Sequence, residues 1–198
     1  MINRQASFQR DTKETKVRVY IDLDGSGVSE ISTGIGFLDH MLEQIARHGR
    51  IDLTVEAQGD IEVDAHHTVE DVGLCLGRAL DAALGDRVGI TRMGHAIVPL
   101  DEALAIVAID LGGRGYAMID AKLNTSSIGT LPTELVPHFL ETLAREGRMT
   151  LHASVMSGAS DHHKAEALFK ALARALDQAS RIDPRAAGVL PSTKGVID

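Results

Sequence analysis

The sequence predicts an α+β protein made by tandem duplication, with a layered unit of strands and helices in each half. Three observations carry this. Two adjacent histidines followed by a glutamate occur twice, in DAHHTVED (Asp64–Asp71) and in SDHHKAEA (Ser160–Ala167). The surrounding stretches recur in the same order: INR at 2–4 with ITR at 90–92, KETKVRVYIDLDGSG with DEALAIVAIDLGGRG, FLDHMLEQIARHGRIDL with LVPHFLETLAREGRMTL, and LGRALDAAL with LARALDQAS. Each half also mixes segments that alternate apolar and polar residues with segments of helical spacing. Two copies of such a unit indicate one pseudo-twofold molecule, because a solenoid needs three or more. The halves divide as 1–89 and 90–198.

In the first half, KVRVYIDLDGSG alternates and then meets Asp and Gly, so a strand running into a tight hairpin is expected. FLDHMLEQIARHG places Phe37, Met41, Leu42 and Ile45 on one helical face and ends at Gly49, a usual residue just past a helix. IDLTVEA reads as a strand. DAHHTVEDVGLCLGRALDAALG reads as a long helix capped by Asp64 and stopped at Gly85. The second half repeats the order, with Pro132 or Thr133 opening its first helix. Before that helix it carries an insertion, KLNTSSIGTLPTE, which reads as a loop from its Asn, Ser, Gly and Pro.

Composition narrows the function. Hydrophobic residues make up 44% and charged residues 24%, as in ordinary globular chains. Aromatics are 3% with no Trp, so Ala, Val, Ile and Leu must build the core. The net charge of -8, without a basic run, argues against nucleic acid and anionic membranes as partners. Cys75 is the only cysteine and suits a reducing compartment. MINRQASFQRDTKE has no signal-peptide core, and no stretch reaches the length of a membrane span, so a cytoplasmic protein is expected.

The doubled motif points to metal chemistry. Residues four apart on a helix sit about 40° apart around its axis, so His66 can share an ion with Glu70, and His162 with Glu166. His67 and His163 point about 100° away and are aimed elsewhere. A metal site wants more than two protein ligands. The duplication supplies one more, because His40 falls opposite His138. One centre per half is the simplest division. Imidazole and carboxylate without thiolate suit Mn, Fe, Co or Zn. His48 lies where a helix C-terminus favours a cation; His95 and His152 read as packed or solvated. DLDGS at Asp22–Ser26 imitates a phosphatase nucleophile motif, but its copy, DLGGR, lacks the second Asp, and a turn explains both.

FLDHMLEQIARHG, DAHHTVED, PLDEAL, HHKAEALFKALARAL and the tail PSTKG together resemble the imidazoleglycerol-phosphate dehydratases of histidine biosynthesis, from KET near the N-terminus to the tail. The resemblance implies a duplicated unit with a four-stranded sheet and helices on one face, like domain 2 of ribosomal protein S5. It implies a 24-subunit cage built from trimers, with active sites between subunits and two Mn2+ per subunit. It gives one ion to His40, His67, His162 and Glu166, and the other to His66, Glu70, His138 and His163, with His152 in reserve for His138.

The implied reaction removes water from D-erythro-imidazole glycerol phosphate and leaves the ketone imidazole acetol phosphate. The proton to be removed is not next to a carbonyl, so the imidazole ring must take up the electrons. The resemblance makes Glu14 the general base, with Glu166 assisting. It gives the phosphate to Arg92, Arg114, Lys170, Ser192 and Lys194, with Gln44 and His48 lining the pocket. Two other readings stand beside it: a different metal-dependent lyase or hydrolase on the same scaffold, and a non-catalytic metal-binding cage. The second leaves Arg92, Arg114 and STKG without a purpose.

Overall fold

The computed structural model describes residues 4–197. Residues 1–3 and 198, and with them the start of the INR copy, lie outside the described residues. β1 (Gln5–Asp11), β2 (Thr15–Asp22), β3 (Ser29–Ser32) and β4 (Asp52–Gly59) form one sheet in the order β1-β2-β4-β3. β5 (Met93–Leu100), β6 (Ala103–Asp110), β7 (Tyr116–Asp120) and β10 (Thr150–Ser157) form a second in the matching order β5-β6-β10-β7. Both sheets are mixed, since β3 runs parallel to β4, and β7 to β10. Period-two burial along β2, with Val17, Val19 and Ile21 inward, puts one face of the sheet on the core.

The helices are α1 (Gly36–Gly49), α2 (His66–Leu84), α3 (Leu135–Glu146) and α4 (Asp161–Ser180). α2 lies on β1 and β2, and α4 on β5 and β6. The helices of one half face those of the other, α1 along α4 and α2 along α3. Small residues permit the close approach: a Cβ on Gly77 of α2 would sit 2.9 Å from the Leu143 carbonyl of α3. The core between the layers is mainly aliphatic; among its few aromatics, Phe139 and Phe169 stack at 5.7 Å. Cys75 is buried in α2, and burial pushes its thiol up to about 12, so it is inert.

Five local expectations change. The hairpin is not at Asp22–Gly27. β2 folds back on β1 through Thr12–Glu14, whereas Leu23–Val28 crosses to the far edge strand β3. The Asp52 carboxylate of β4 accepts the N–H groups of Ser26, Gly27 and Val28 at 2.8–2.9 Å, so these donors are spent on a side chain rather than a ladder. The left-handed residue after α1 is Arg50 (φ 55), not Gly49, and Arg148 (φ 50) repeats it after α3. Asp64 accepts the His66 N–H at 2.6 Å, but the residue before the helix is Ala65, one position later than expected. α3 begins at Leu135, past Pro132 and Thr133. The insertion is not all loop: β8 (Ser127–Ile128) and β9 (Leu131–Pro132) make a small hairpin turning at Gly129 (φ 58).

Candidate active site

The first turns of α2 and α4 present the two claws. On α4, His162 Nε2 and Glu166 Oε2 are 3.2 Å apart, and His40 Nε2 of α1 lies 3.2 Å from the same oxygen. On α2, His66 and Glu70 meet His138 of α3; the His66 and His138 rings are 4.6 Å apart, and His138 Nε2 is 3.6 Å from Glu70 Oε1. In each group one ligand atom per residue lies within 4.8 Å of the others. Both centres therefore straddle the duplication. His40 of the first half completes the claw of the second, and His138 completes that of the first, which corrects the expectation of one centre per half. The cause is the packing of α1 on α4 and of α2 on α3. His152 is on β10 beside Tyr116 and joins neither centre, so the structure brings His138 to the claw and not its reserve.

The donor sets suit a divalent ion. His138 Nε2 is buried without a hydrogen-bond partner among the described residues, an arrangement that is costly unless something else satisfies it. Burial opposes ionisation of Glu166, but hydrogen bonds from Lys170 and His40 outweigh it and hold the carboxyl at about 2, so it is a carboxylate at neutral pH. Gln44 and His48 continue the α1 face that carries His40, at four-residue spacing. Gln44 Nε2 donates to the His40 carbonyl at 3.3 Å. Burial, then Lys170 and Arg174, lower the His48 pKa, so its imidazole is held neutral.

The spare imidazoles are each oriented by a carboxylate. His67 Nδ1 lies 3.1 Å from Asp60, and His163 Nδ1 lies 2.7 Å from Glu102. Among the described residues neither Nε2 has a hydrogen-bond partner, the arrangement by which an orienting carboxylate prepares an imidazole for a cation. The two glutamates that the duplication pairs have thus diverged. Glu102 accepts from His163 and from the N–H groups of Ala159 and Ser160, and those bonds, led by Ser160, hold it at about 2. Glu14 is exposed, and among the described residues its carboxylate pairs only with His67, at 4.0 Å. Asp60, not Glu14, makes the hydrogen bond to His67 Nδ1. Sequence reasoning missed Asp60 because its copy in the second half is Gly158.

Arg92, Gly112, Arg114, Ser192, Thr193 and Lys194 line a separate cavity of about 150 Å³ under the tail. Arg92 binds both oxygens of Asp110 at 2.7 and 2.9 Å and donates to the Pro191 carbonyl at 2.6 Å. Two of its five donors thus hold it to Asp110 of β6 and one anchors the tail, leaving two for an anion. Lys170 is not in this cavity; it is tied to Glu166 at 2.6 Å, beside the His40 centre. The Arg92 N–H donates to the Ala179 carbonyl near the C-terminal end of α4, whereas His162 begins that helix. At 1.5 Å per residue the two ends are about 25 Å apart.

Fold and site together define a duplicated α+β protein with paired imidazole–carboxylate centres and a cationic pocket, an equipment suited to an enzyme acting on a small anionic substrate. The comparisons narrow this. The family described as imidazoleglycerol-phosphate dehydratase matches residues 33–176. The chain is 58% identical to the imidazoleglycerol-phosphate dehydratase of Chloroflexus aggregans, over 98% of this chain and 95% of that protein. It is 54% identical to that of Dehalococcoides mccartyi over the full length of both. Among solved structures, the enzyme from Pyrococcus furiosus in complex with (S)-C348 superposes with a TM-score of 0.81 at 38% identity, covering 95% of this chain and 99% of that one. The Staphylococcus aureus enzyme gives 0.79 at 37%, covering 87% and 97%. The chain belongs to the imidazoleglycerol-phosphate dehydratase family.

Proposed function

We propose that the chain is a hydro-lyase of histidine biosynthesis that converts D-erythro-imidazole glycerol phosphate to imidazole acetol phosphate, using a pair of divalent cations, manganese foremost. The observation that carries the reading is the doubled centre, two imidazoles and a carboxylate built twice from the repeated HHxxE, in a chain of this family. His40, His162 and Glu166 would hold one cation, and His66, Glu70 and His138 the other. The cations supply Lewis acidity and a template for the substrate's ring nitrogens. Glu14 takes the proton from carbon as general base and the hydroxyl on the carbon beside the ring departs, the two being lost together as water, and the enol then relaxes to the ketone. Glu166 stays ionised beside Lys170 and assists from the centre. Arg114, Ser192, Lys194 and the remaining donors of Arg92 hold the phosphate.

The reading extends to assembly and location: a cytoplasmic 24-subunit cage of trimers, each subunit folded like two copies of ribosomal protein S5 domain 2. Two features support shared sites. The cationic pocket and the His162 claw of one chain stand too far apart for one small substrate, which favours a site made by the pocket of one chain and this centre of another. His67 and His163, with Nε2 free, then complete centres on neighbouring chains. The outer face of the second sheet also exposes Met93, Ile97, Tyr116, Met118 and Met156, whereas that of the first carries Lys16, Arg18, Glu56 and Gln58. Among the described residues no helix is long and apolar enough to cross a membrane. The test is a direct assay of the acetol product from imidazole glycerol phosphate, with the protein stripped and reloaded with manganese. Product formation that depends on manganese is expected. A protein that binds manganese tightly and yields no product refutes the enzymatic reading and leaves the metal-binding cage.

A further inference from the structure

The turn that carries Glu14 is held by a device that the second half lacks. Thr12 Oγ1 accepts the N–H of Glu14 at 3.1 Å and of Thr15 at 2.9 Å. Thr12 Oγ1 also lies 3.2 Å from Thr15 Oγ1. The Thr15 hydroxyl, in turn, donates to Asp71 Oδ2. The other oxygen of Asp71 accepts from Arg10 Nε at 2.8 Å. Thr15 and Asp71 are 2% and 7% exposed, so this is a buried polar link between α2 and the β1–β2 turn. On α2, Asp71 stands one turn beyond His67 and shares its face. The same helix face therefore sets His67 against Glu14 and Asp71 against Thr15.

The duplication provides the control. The positions matching Arg10, Thr15 and Asp71 are Val98, Ala103 and Ala167, and the two alanines are fully buried. An apolar trio thus satisfies this fold in the half whose glutamate, Glu102, is held by its own bonds to Ser160, Ala159 and His163. Burying a carboxylate is unfavourable against apolar residues of similar size, so folding alone does not call for Asp71. The clasp occurs where the glutamate carboxylate has no partner of its own to fix it.

We propose that Asp71 is a positioning residue, which through Thr15 fixes the Lys13–Glu14 turn and so keeps the Glu14 carboxylate beside His67. The inference rests on the reading of Glu14 as the base. The test transplants the second half's solution into the first, as Arg10→Val, Thr15→Ala and Asp71→Ala combined, in the wild-type and in the Glu14→Gln background, on manganese-loaded assembled protein. The triple variant is expected to keep its melting temperature and manganese content, to hold KM within about twofold, and to lose about tenfold or more in kcat, because small displacements of a reacting group are costly. In the Glu14→Gln background it should cost nothing further, since a residue acting through Glu14 cannot act without it. If Glu14→Gln is slow and the triple variant is as fast as wild type, the clasp is not a positioning device. If the triple variant slows both backgrounds equally, it acts by another route and the inference falls. If Glu14→Gln alone keeps the wild-type rate, the base assignment fails, and the inference with it. Should the triple variant not fold, Thr15→Ser, which keeps the hydroxyl, is expected to retain kcat where Thr15→Ala loses it; equal kcat in the two overturns the inference.

Discussion

Glu14 and Glu102 descend from one position of the duplicated unit and now do different work. Glu102 is bound on three sides and fixes His163; Glu14 is left free because Asp60 fixes His67. Glu14→Gln is expected to lower kcat by about a hundredfold or more, with KM and manganese content near wild type. Glu102→Gln should act the other way, weakening manganese binding by about ten- to a hundredfold, measured by calorimetry, as losses of such orienting carboxylates do. The imidazoles give a second check. Hydrogen bonds to Asp60 and Glu102 raise the pKa values of His67 and His163, whereas burial, Lys170 and Arg174 lower that of His48. In metal-free protein, NMR titration should place His67 and His163 above the ordinary histidine value and His48 below it. Asp60→Asn should bring His67 down. The sign follows from linkage. These pairs stabilise the metal-free fold below the unfolded histidine value and lose that contribution as pH rises through the raised one. A bound cation must displace the proton, so acid should weaken binding.

At the scale of elements, the insertion is pinned to the start of α4. The Asp161 carboxylate accepts from the Asn124 and Thr125 N–H groups at 2.7 Å and from the Thr125 hydroxyl at 2.8 Å, and it pairs with Lys164 at 2.8 Å. Both charged side chains are 4% exposed, and Lys164 also donates to the Lys122 carbonyl. Burial opposes the charge on Asp161, but these bonds outweigh it and hold its pKa far below the usual range. This contribution is complete above the unfolded aspartate value of about 3.9 and fades only as pH falls towards the depressed one. Asp161→Ala leaves Lys164 buried without its partner and should cost about 3–5 kcal/mol in chemical denaturation at pH 7. Adding Lys164→Met should restore most of it. The sequence identified the insertion but not this anchor, because Asp161 and Asn124 are distant along the chain. The hairpin was misplaced for a similar reason: DLDGSG has turn residues, and only Asp52, from another strand, decides what their backbone donors bind.

For the whole molecule, the decisive geometry is that the cationic pocket and the His162 claw lie at opposite ends of α4. If chains share sites, metal binding is linked to association, because an ion that binds only the assembled state favours it by mass action. Manganese reconstitution should approach two ions per chain. Chelation should then yield smaller species in sedimentation analysis, with trimers the expected product, and manganese should restore the large form. Stripped protein that keeps its full mass at low concentration would show that the ions do not hold the assembly together.

The duplication, the order β2, α1, β4, α2 and its copy, the two i,i+4 claws and the divergent directions of the spare imidazoles were legible in the sequence, and so was the family, whereas the strands β1 and β3 and their copies β5 and β7 were not. These features are periodic or local: one turn of helix fixes which side chains meet, and a repeated segment declares itself by its residues. Beyond what the family resemblance implied, the residue patterns themselves left three things to the tertiary structure. It paired His40 with the α4 claw and His138 with the α2 claw, it separated a bound Glu102 from a free Glu14, and it set the cationic pocket far from the His162 claw. Each depends on contacts between segments distant in the chain: α1 on α4, α2 on α3, Glu102 against His163, and Arg92 against the tail. Such contacts are chosen by how whole surfaces fit, with small residues such as Gly77 allowing helices to close. No spacing within a single segment encodes that fit.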